Sequence, residues 1–413
     1  MKHDEQQMID FLVTVTKSKL CLFMIVVFIT TFSSCKQSND NLPCIDVRKS
    51  YPEKEMLLTD IADVTYLCLK SDDDDFLFRG YINHVTKNTI VIHDISSGNI
   101  LFFSKDGIPK SRFNHKGNGP EDYLNAQTII YDEAADDVFI QSSSSVLQVY
   151  SSTGDYKRKI VLPIETMMNP IVSFDDQSFV LYDASIQFVP DRKREITEDT
   201  DFPAQYYSFP FVRISKIDGK VLDYMELPSN SIVLKDDRVF QEMGGIPGHT
   251  SRVIKCVDGV FLCNPETDTV FLYGQDKSLT PIICKTPLVS VLEPMVYLNN
   301  CIDKGGRYQF MEVFTVRWEE ESFPFPAKYY MRDKKTGEIF RQKIILPDFT
   351  GKEIFISPRQ SGRHYEHGVY YELELIELKQ AYRENRLSGK LKELVAALNE
   401  DEDNNVFMLV NFK

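Results

Sequence analysis

Short strand-like runs separated by a turn glycine recur along most of this chain, and that rhythm restricts its fold more than any other feature. Thr89–Asp94, Ile100–Ser104 and Lys110–Asn114 form one group, divided by Ser96-Ser97-Gly98-Asn99 and Lys105-Asp106-Gly107. Ala126–Tyr131, Asp137–Gln141, Val146–Ser151 and Tyr156–Leu162 form the next, with Thr153-Gly154-Asp155 at the equivalent place. Further copies are expected at Val212–Leu227 around Asp218-Gly219, Arg252–Cys284 around Asp258-Gly259, and Tyr329–Leu346 around Thr336-Gly337. One four-stranded sheet cannot bury both of its faces. Sheets packed side by side around an axis can, and they leave only short edges exposed.

At about 60 residues per unit the chain holds six such units, longer than the common repeats of about 40–50 and so carrying insertions. Pro190–Pro203 and Ser229–Gly248 read as two of these insertions. The expectation is an all-β, six-bladed β-propeller. Its 28 Phe and 20 Tyr suit strands. The end of the chain breaks the rhythm: Leu387, Leu391, Leu394, Val395 and Leu398 have helical spacing, which predicts a short helix over Leu387–Asn399. A last strand, Val406–Phe412, follows. A ring of sheets closes when one blade takes strands from both ends of the chain, and Met56–Leu69 is the N-terminal partner expected for that strand.

Lys17 and Lys19 precede an apolar run, Leu20–Phe32, and then Ser33-Ser34-Cys35. The run is too short to span a bilayer and reads as a secretory leader, residues 1–34. Phe32-Ser33-Ser34-Cys35 resembles a bacterial lipobox, with Phe32 where Leu is usual, so Cys35 is expected to carry lipid. Residues 35–54 read as a polar tether and 55–413 as the propeller. Lys36 rather than Asp after the lipidated cysteine points to the outer membrane. Lys2, Lys17 and Lys19 balance Asp4, Glu5 and Asp10 in the leader, so the net charge of −14 stays with the mature chain. That sign argues against nucleic acid as a partner and leaves membrane contact to acyl chains. Cys44, Cys68, Cys256, Cys263, Cys284 and Cys301 show no stapled or zinc spacing and are expected as buried free thiols. In a two-residue hairpin at Asp258-Gly259, Cys256 is expected opposite Phe261, which keeps it away from Cys263.

Lys116-Gly117-Asn118-Gly119-Pro120-Glu121-Asp122-Tyr123 resembles the Gly-x-Gly-Pro-Gly-Glu-Tyr loop of the six-bladed β-propeller lipoproteins of Gram-negative anaerobes, with Glu121 where that family usually carries Gly. The Leu-rich helix, the Glu400–Asn405 turn and the Val406–Lys413 strand are similar to that family's ending. The resemblance implies an exported propeller, often encoded beside glycan- or peptide-uptake systems. It implies no catalytic residues.

In propellers the connection from an outer strand to the next inner strand crosses one face and reaches the channel mouth. His115–Asn125, Ser229–His249 and Ser357–His367 are the three expected here, and binding residues concentrate on such loops. His115, Lys116, Tyr123, His249, Arg252, Arg363 and Tyr365 are the candidates expected to converge on one face around a polar ligand, since Arg pairs with carboxylates and Tyr stacks on sugars. Against this stands the plain reading of solvated loop side chains, with Gly-Asn-Gly-Pro doing turn work only. His364-x-x-His367 has no third ligand fixed by spacing, and Asp72–Asp75 lacks a calcium loop's alternation, so neither metal nor other cofactor is expected. No nucleophile-elbow or phosphate-loop motif occurs. The reading is a non-catalytic envelope lipoprotein binding a glycan, a peptide or a protein partner, including an outer-membrane uptake complex. The alternatives are a hydrolase or lyase at the channel mouth, and a structural part of an assembly.

Overall fold

The computed structural model describes residues 42–71, 74–164, 166, 171–183, 211–225, 227, 252–264, 268–315, 326–358, 365, 367–400 and 402–413. The leader, Cys35, both insertions, His249, Arg363 and His364 lie outside the described residues.

Six sheets make up Pro43–Lys413. Blade 1 runs outward from Gly80–Val85 through Thr89–Asp94 and Ile100–Ser104 to Pro109–Phe113. Blade 2 runs from Ile129–Asp132 to Tyr156–Val161, and blade 3 from Val172–Ser173 to Val221–Met225. Blade 4 runs from Val253–Cys256 to Leu279–Thr286, and blade 5 from Val296–Ile302 to Ile339–Ile345. Blade 6 joins Gly368–Leu373 and Val406–Phe412 to the N-terminal strand Ala62–Cys68, with Phe412 opposite Ala62 and Val406 opposite Cys68. The two ends of the chain therefore share one blade, as the sequence predicts.

Buried apolar clusters lie between neighbouring blades. Ile90 and Ile92 pack with Leu67, Phe407 and Leu409 of blade 6. Val91, between them in the same strand, packs with Ile129, Val138 and Ile140 of blade 2. Both faces of an inner strand are thus core, which is why these strands read as continuous apolar runs instead of alternating. Each fully buried Val, Leu, Ile or Phe contributes about 1.5–3 kcal/mol.

The recurring turn glycine has a geometric cause. Gly107 and Gly154 occupy the turn between third and outer strands with φ of 77° and 93°. A Cβ there would lie 2.6 Å from the Cys68 carbonyl oxygen or the Phe113 Cβ, at the end of the preceding blade's outer strand. Each turn docks on the blade before it, and only glycine fits both the backbone and the gap. Gly219 repeats the arrangement against Ile160 and Val161. Blade 4 departs from the expected alignment. Asp258-Gly259 belongs to its first hairpin, with Cys256 opposite Gly259 and Phe261 opposite Ile254, and its docking turn instead uses Lys277 at φ 65°. The separation of Cys256 from Cys263 stands, although the register that gave it differs.

One strand lies where the sequence reads as tether and a second straddles the tether's end, taking Met56 and Leu57 away from the expected Met56–Leu69 partner strand, which is Ala62–Cys68. Cys44–Asp46 adds in parallel outside Leu279–Thr286 of blade 4, and Glu53–Leu57 adds in parallel outside Ile339–Ile345 of blade 5. A disulfide joins Cys44 to Cys284 across 240 residues, which corrects the expectation of free thiols for that pair. Strands this short carry no periodic signal, and their pairing is long-range. Cys68, Cys256, Cys263 and Cys301 are free, the last three buried between blades 4 and 5. The C-terminal region holds two helices, Leu375–Arg383 and Gly389–Ala397, where one was expected. Leu378, Ala381, Leu391 and Val395 pack them onto the core between blades 5 and 6.

Candidate functional site

The inner strands set polar groups on one side of the wheel that link each blade to the next. The Tyr131 backbone N–H donates to His84 Nδ1 at 2.7 Å, tying blade 2 to blade 1. Lys216 Nζ pairs with Asp132 at 2.9 Å, tying blade 3 to blade 2. Lys255 of blade 4 donates to the Phe174 carbonyl of blade 3 at 2.9 Å. Lys304 of blade 5 donates to the Lys255 carbonyl and, at 2.7 Å, to the Tyr365 carbonyl. The Tyr370 hydroxyl of blade 6 donates to the Ile82 carbonyl of blade 1. The links run once around the ring and close. Burial pushes the His84 imidazole down to about 4, helped by the Lys216 charge and resisted by Asp132 and Glu133. A neutral ring with Nδ1 as acceptor is what the Tyr131 bond requires.

Inside this hoop lies a cavity of about 910 Å³. The first turns of blades 1, 2 and 3 wall it with Thr86, Lys87, Asn88, Glu133, Asp175 and Asp176. Lys105, Lys216, Lys255, Tyr365, His367 and Asn411 complete the wall described. Burial alone would raise the Glu133 carboxyl, but hydrogen bonds from Thr89, Thr86 and Asn88 outweigh it and hold the group below its ordinary value. Asp175 behaves the same way through Ser178 and Gln177. Burial lowers the Lys105 ammonium, whose Nζ sits 5.0 Å from the centre of the Tyr365 ring. The Tyr365 hydroxyl donates to Asn411 Oδ1. Among the described residues no group of three or more His, Cys, Asp or Glu is placed to hold a metal ion.

The five sequence candidates among the described residues do not converge; His249 and Arg363 lie outside them. His115, Lys116 and Tyr123 lie on the connection into the first end of Ile129–Asp132, whereas the cavity opens at its other end, by Asp132. His115 and Tyr123 are engaged internally. His115 Nε2 meets the Gly154 carbonyl at 2.7 Å, and the ring stacks on Tyr150 at 5.1 Å. The Tyr123 hydroxyl donates to the Gly98 carbonyl at 3.1 Å and accepts from the His115 backbone N–H. Gly117 and Gly119 leave room for the Asp122 carboxylate, which accepts from the Gly119 N–H at 2.8 Å. The loop therefore docks blade 1 onto blade 2, and Glu121 needs no left-handed backbone to serve it. Lys116 is exposed. Arg252 is buried, its guanidinium 4.0 Å from the Tyr182 ring centre and bonded to Asn264 at 3.1 Å. Of the seven, Tyr365 alone lines the cavity among the described residues. His84, Lys105, Glu133, Lys216 and Lys255 were missed. The available signal was a polar residue inside or just after an otherwise apolar strand, as in Val253-Ile254-Lys255-Cys256.

Residues 33–218 match a family described as 6-bladed beta-propeller. A Bacteroides fragilis protein described as exported superposes with a TM-score of 0.58 at 17% identity, over 90% of this chain and 99% of that one. More distant likenesses include BamB from Moraxella catarrhalis, at 7% identity and a TM-score of 0.30 over 63% of this chain and 83% of that one. A catalytically inactive virginiamycin B lyase from Staphylococcus aureus, solved with quinupristin, gives 11% identity and a TM-score of 0.33 over 71% and 87%. No curated protein matches the chain significantly.

Proposed function

We propose that this six-bladed β-propeller is an envelope-tethered lipoprotein that binds a small polar ligand, a glycan or peptide fragment, at the cavity inside its lysine hoop, and does so without chemistry. The observation that carries the reading is the cavity itself. It lies where rigid inner strands present charged and amide groups, and its volume is that of a small-ligand site. Its carboxylates favour binding over catalysis, because Glu133 and Asp175 are held ionised by internal donors and Asp132 is paired with Lys216. A general acid at neutral pH needs the opposite shift. Lipid on Cys35 would supply the membrane contact, and the exported propeller from Bacteroides fragilis fits an envelope location. The site takes in Tyr365 and His367 of the Ser357–His367 connection and lies away from His115–Asn125, where exposed Lys116 is left to touch a protein partner.

The test is a glycan and peptide binding screen on the chain beginning at Lys36. Saturable binding weakened by His367→Ala or Lys87→Ala, and unchanged by Lys116→Ala, supports the mouth. Turnover of a bound ligand would favour the hydrolase or lyase alternative, and loss through Lys116→Ala alone would move the site to the other face.

A further inference from the structure

By count the cavity wall is balanced, with Lys87, Lys105, Lys216 and Lys255 facing Asp132, Glu133, Asp175 and Asp176. By engagement it is not. Asp132 accepts from Lys216 at 2.9 Å. Glu133 accepts from the Thr89 hydroxyl at 2.5 Å and from Asn88 at 3.2 Å through both backbone and side-chain amide. Asp175 accepts from the Ser178 hydroxyl at 2.6 Å and the Gln177 N–H at 2.9 Å. Lys105 makes no ion pair or hydrogen bond among the described residues; its ammonium lies over the Tyr365 ring and feels the Glu133 charge from a distance. Lys255 gives one of its three donors to a carbonyl. Asn411, whose Oδ1 accepts from Tyr365, keeps an amide NH2 that makes no hydrogen bond among the described residues and is a further donor. Three of the four acids are engaged inside the wall, the fourth, Asp176, is exposed, and Lys105, Lys255 and Asn411 keep donors to spare.

We infer that the channel-mouth cavity takes a ligand presenting a carboxylate, received by the Lys105 ammonium with Lys255 and Asn411 as flanking donors. The inference rests on the reading of this cavity as the binding site and names what its ligand carries. A half-buried ammonium pinned on an aromatic ring has already lost part of its hydration and much of its rotamer freedom, so a carboxylate meets a preorganised partner. Uronic-acid saccharides and acidic peptides share that group, and the cavity volume lies in the range of small-ligand sites.

Isothermal titration of the full propeller decides it, with four probes: trigalacturonic acid, its methyl ester, acetyl-Asp-Glu-Asp-amide, and acetyl-Asn-Gln-Asn-amide. Wild type should bind one acidic probe at least about ten-fold more tightly than its neutral counterpart, and whichever acid binds names the source. Lys105→Met keeps an unbranched side chain without the charge and should lose about ten-fold for the acid and little for the neutral probe, while Lys105→Arg should retain binding. Equal binding of acid and neutral probes, unaffected by Lys105→Met, would overturn the carboxylate and leave the mouth as a polar site. Binding of none of the four would remove both.

Discussion

Protonating His84 should loosen the wheel, and the size of the effect follows from its surroundings. Burial and the Lys216 charge keep the ring neutral in the fold, where it accepts from the Tyr131 N–H, and it gains its proton only at about 4, against 6.5 when free. A histidine whose value is depressed by folding contributes stability that is complete above the unfolded value. That contribution is lost as pH falls from 6.5 towards 4, since the unfolded chain then takes up a proton the folded chain refuses. At about 1.4 kcal/mol per pH unit the loss is about 3 kcal/mol as an upper bound, because the ring borders the cavity and is partly wetted. Urea unfolding of wild type and His84→Asn at several pH values between about 7.5 and 4.2 isolates the effect. Asn can place Oδ1 where Nδ1 accepts and cannot be charged, so every other titration cancels in the difference. Wild type should lose about 3 kcal/mol relative to the variant over that interval, and nothing above about pH 7. Parallel pH profiles, or an imidazole resonance of His84 titrating near 6.5, would refute the argument.

Breaking the Cys44–Cys284 bridge by Cys284→Ser should cost about 2–4 kcal/mol in urea unfolding, and reductant should bring wild type to the same midpoint. An unchanged midpoint would mean that strand pairing alone holds the rim. Gly154→Ala should destabilise by at least about 2 kcal/mol, because the residue has φ of 93° and its new Cβ meets Phe113 at 2.6 Å; a loss under about 0.5 kcal/mol would reject docking as the reason for the turn glycine. A chain beginning at Leu58 should self-associate in sedimentation velocity, since it bares the outer edges of blades 4 and 5; a clean monomer would show that those edges need no cover.

The wheel was legible because its signals are local. Alternation of strand and turn, and a glycine such as Gly107 or Gly154 in the docking turn, recur within short windows. The shared blade was legible too, since Val406–Phe412 and Ala62–Cys68 are both unpaired apolar strands at opposite ends of the chain. What failed was long-range or cryptic. Cys44–Asp46 is three residues long and finds its partner 240 residues away. Gly259 carries the same Asp-Gly signature as Gly219 yet serves a different turn, because Lys277 takes the left-handed position in blade 4. The candidate site failed for a different reason. Conspicuous loop residues such as His115 and Tyr123 were conspicuous because they pack a loop, while Lys216 and Lys255 sat unnoticed next to apolar strands.

The path of the N-terminal segment shows why a blade edge is covered or left bare. Between Cys44 and Cys68 the chain runs along the rims of blades 4, 5 and 6 in turn, adding one strand to each. Blade 4's outer strand, Leu279–Thr286, carries Ile282 and Ile283, and a bare edge of that composition would recruit other chains. Blade 5's outer strand carries Arg341 and Lys343, and the strand laid on it answers with Glu53 and Glu55 in ion pairs. Among the described residues blades 1 and 2 receive no added strand, and their outer strands display Lys110 and Arg112, or Lys157 and Lys159, exposed at alternate positions. Blade 3 is the exception, with Leu222 and Tyr224 exposed on its outer strand. Charge protects two edges and the chain's own beginning adds a strand to three, so the same segment that closes the wheel also covers the outer strands of blades 4 and 5.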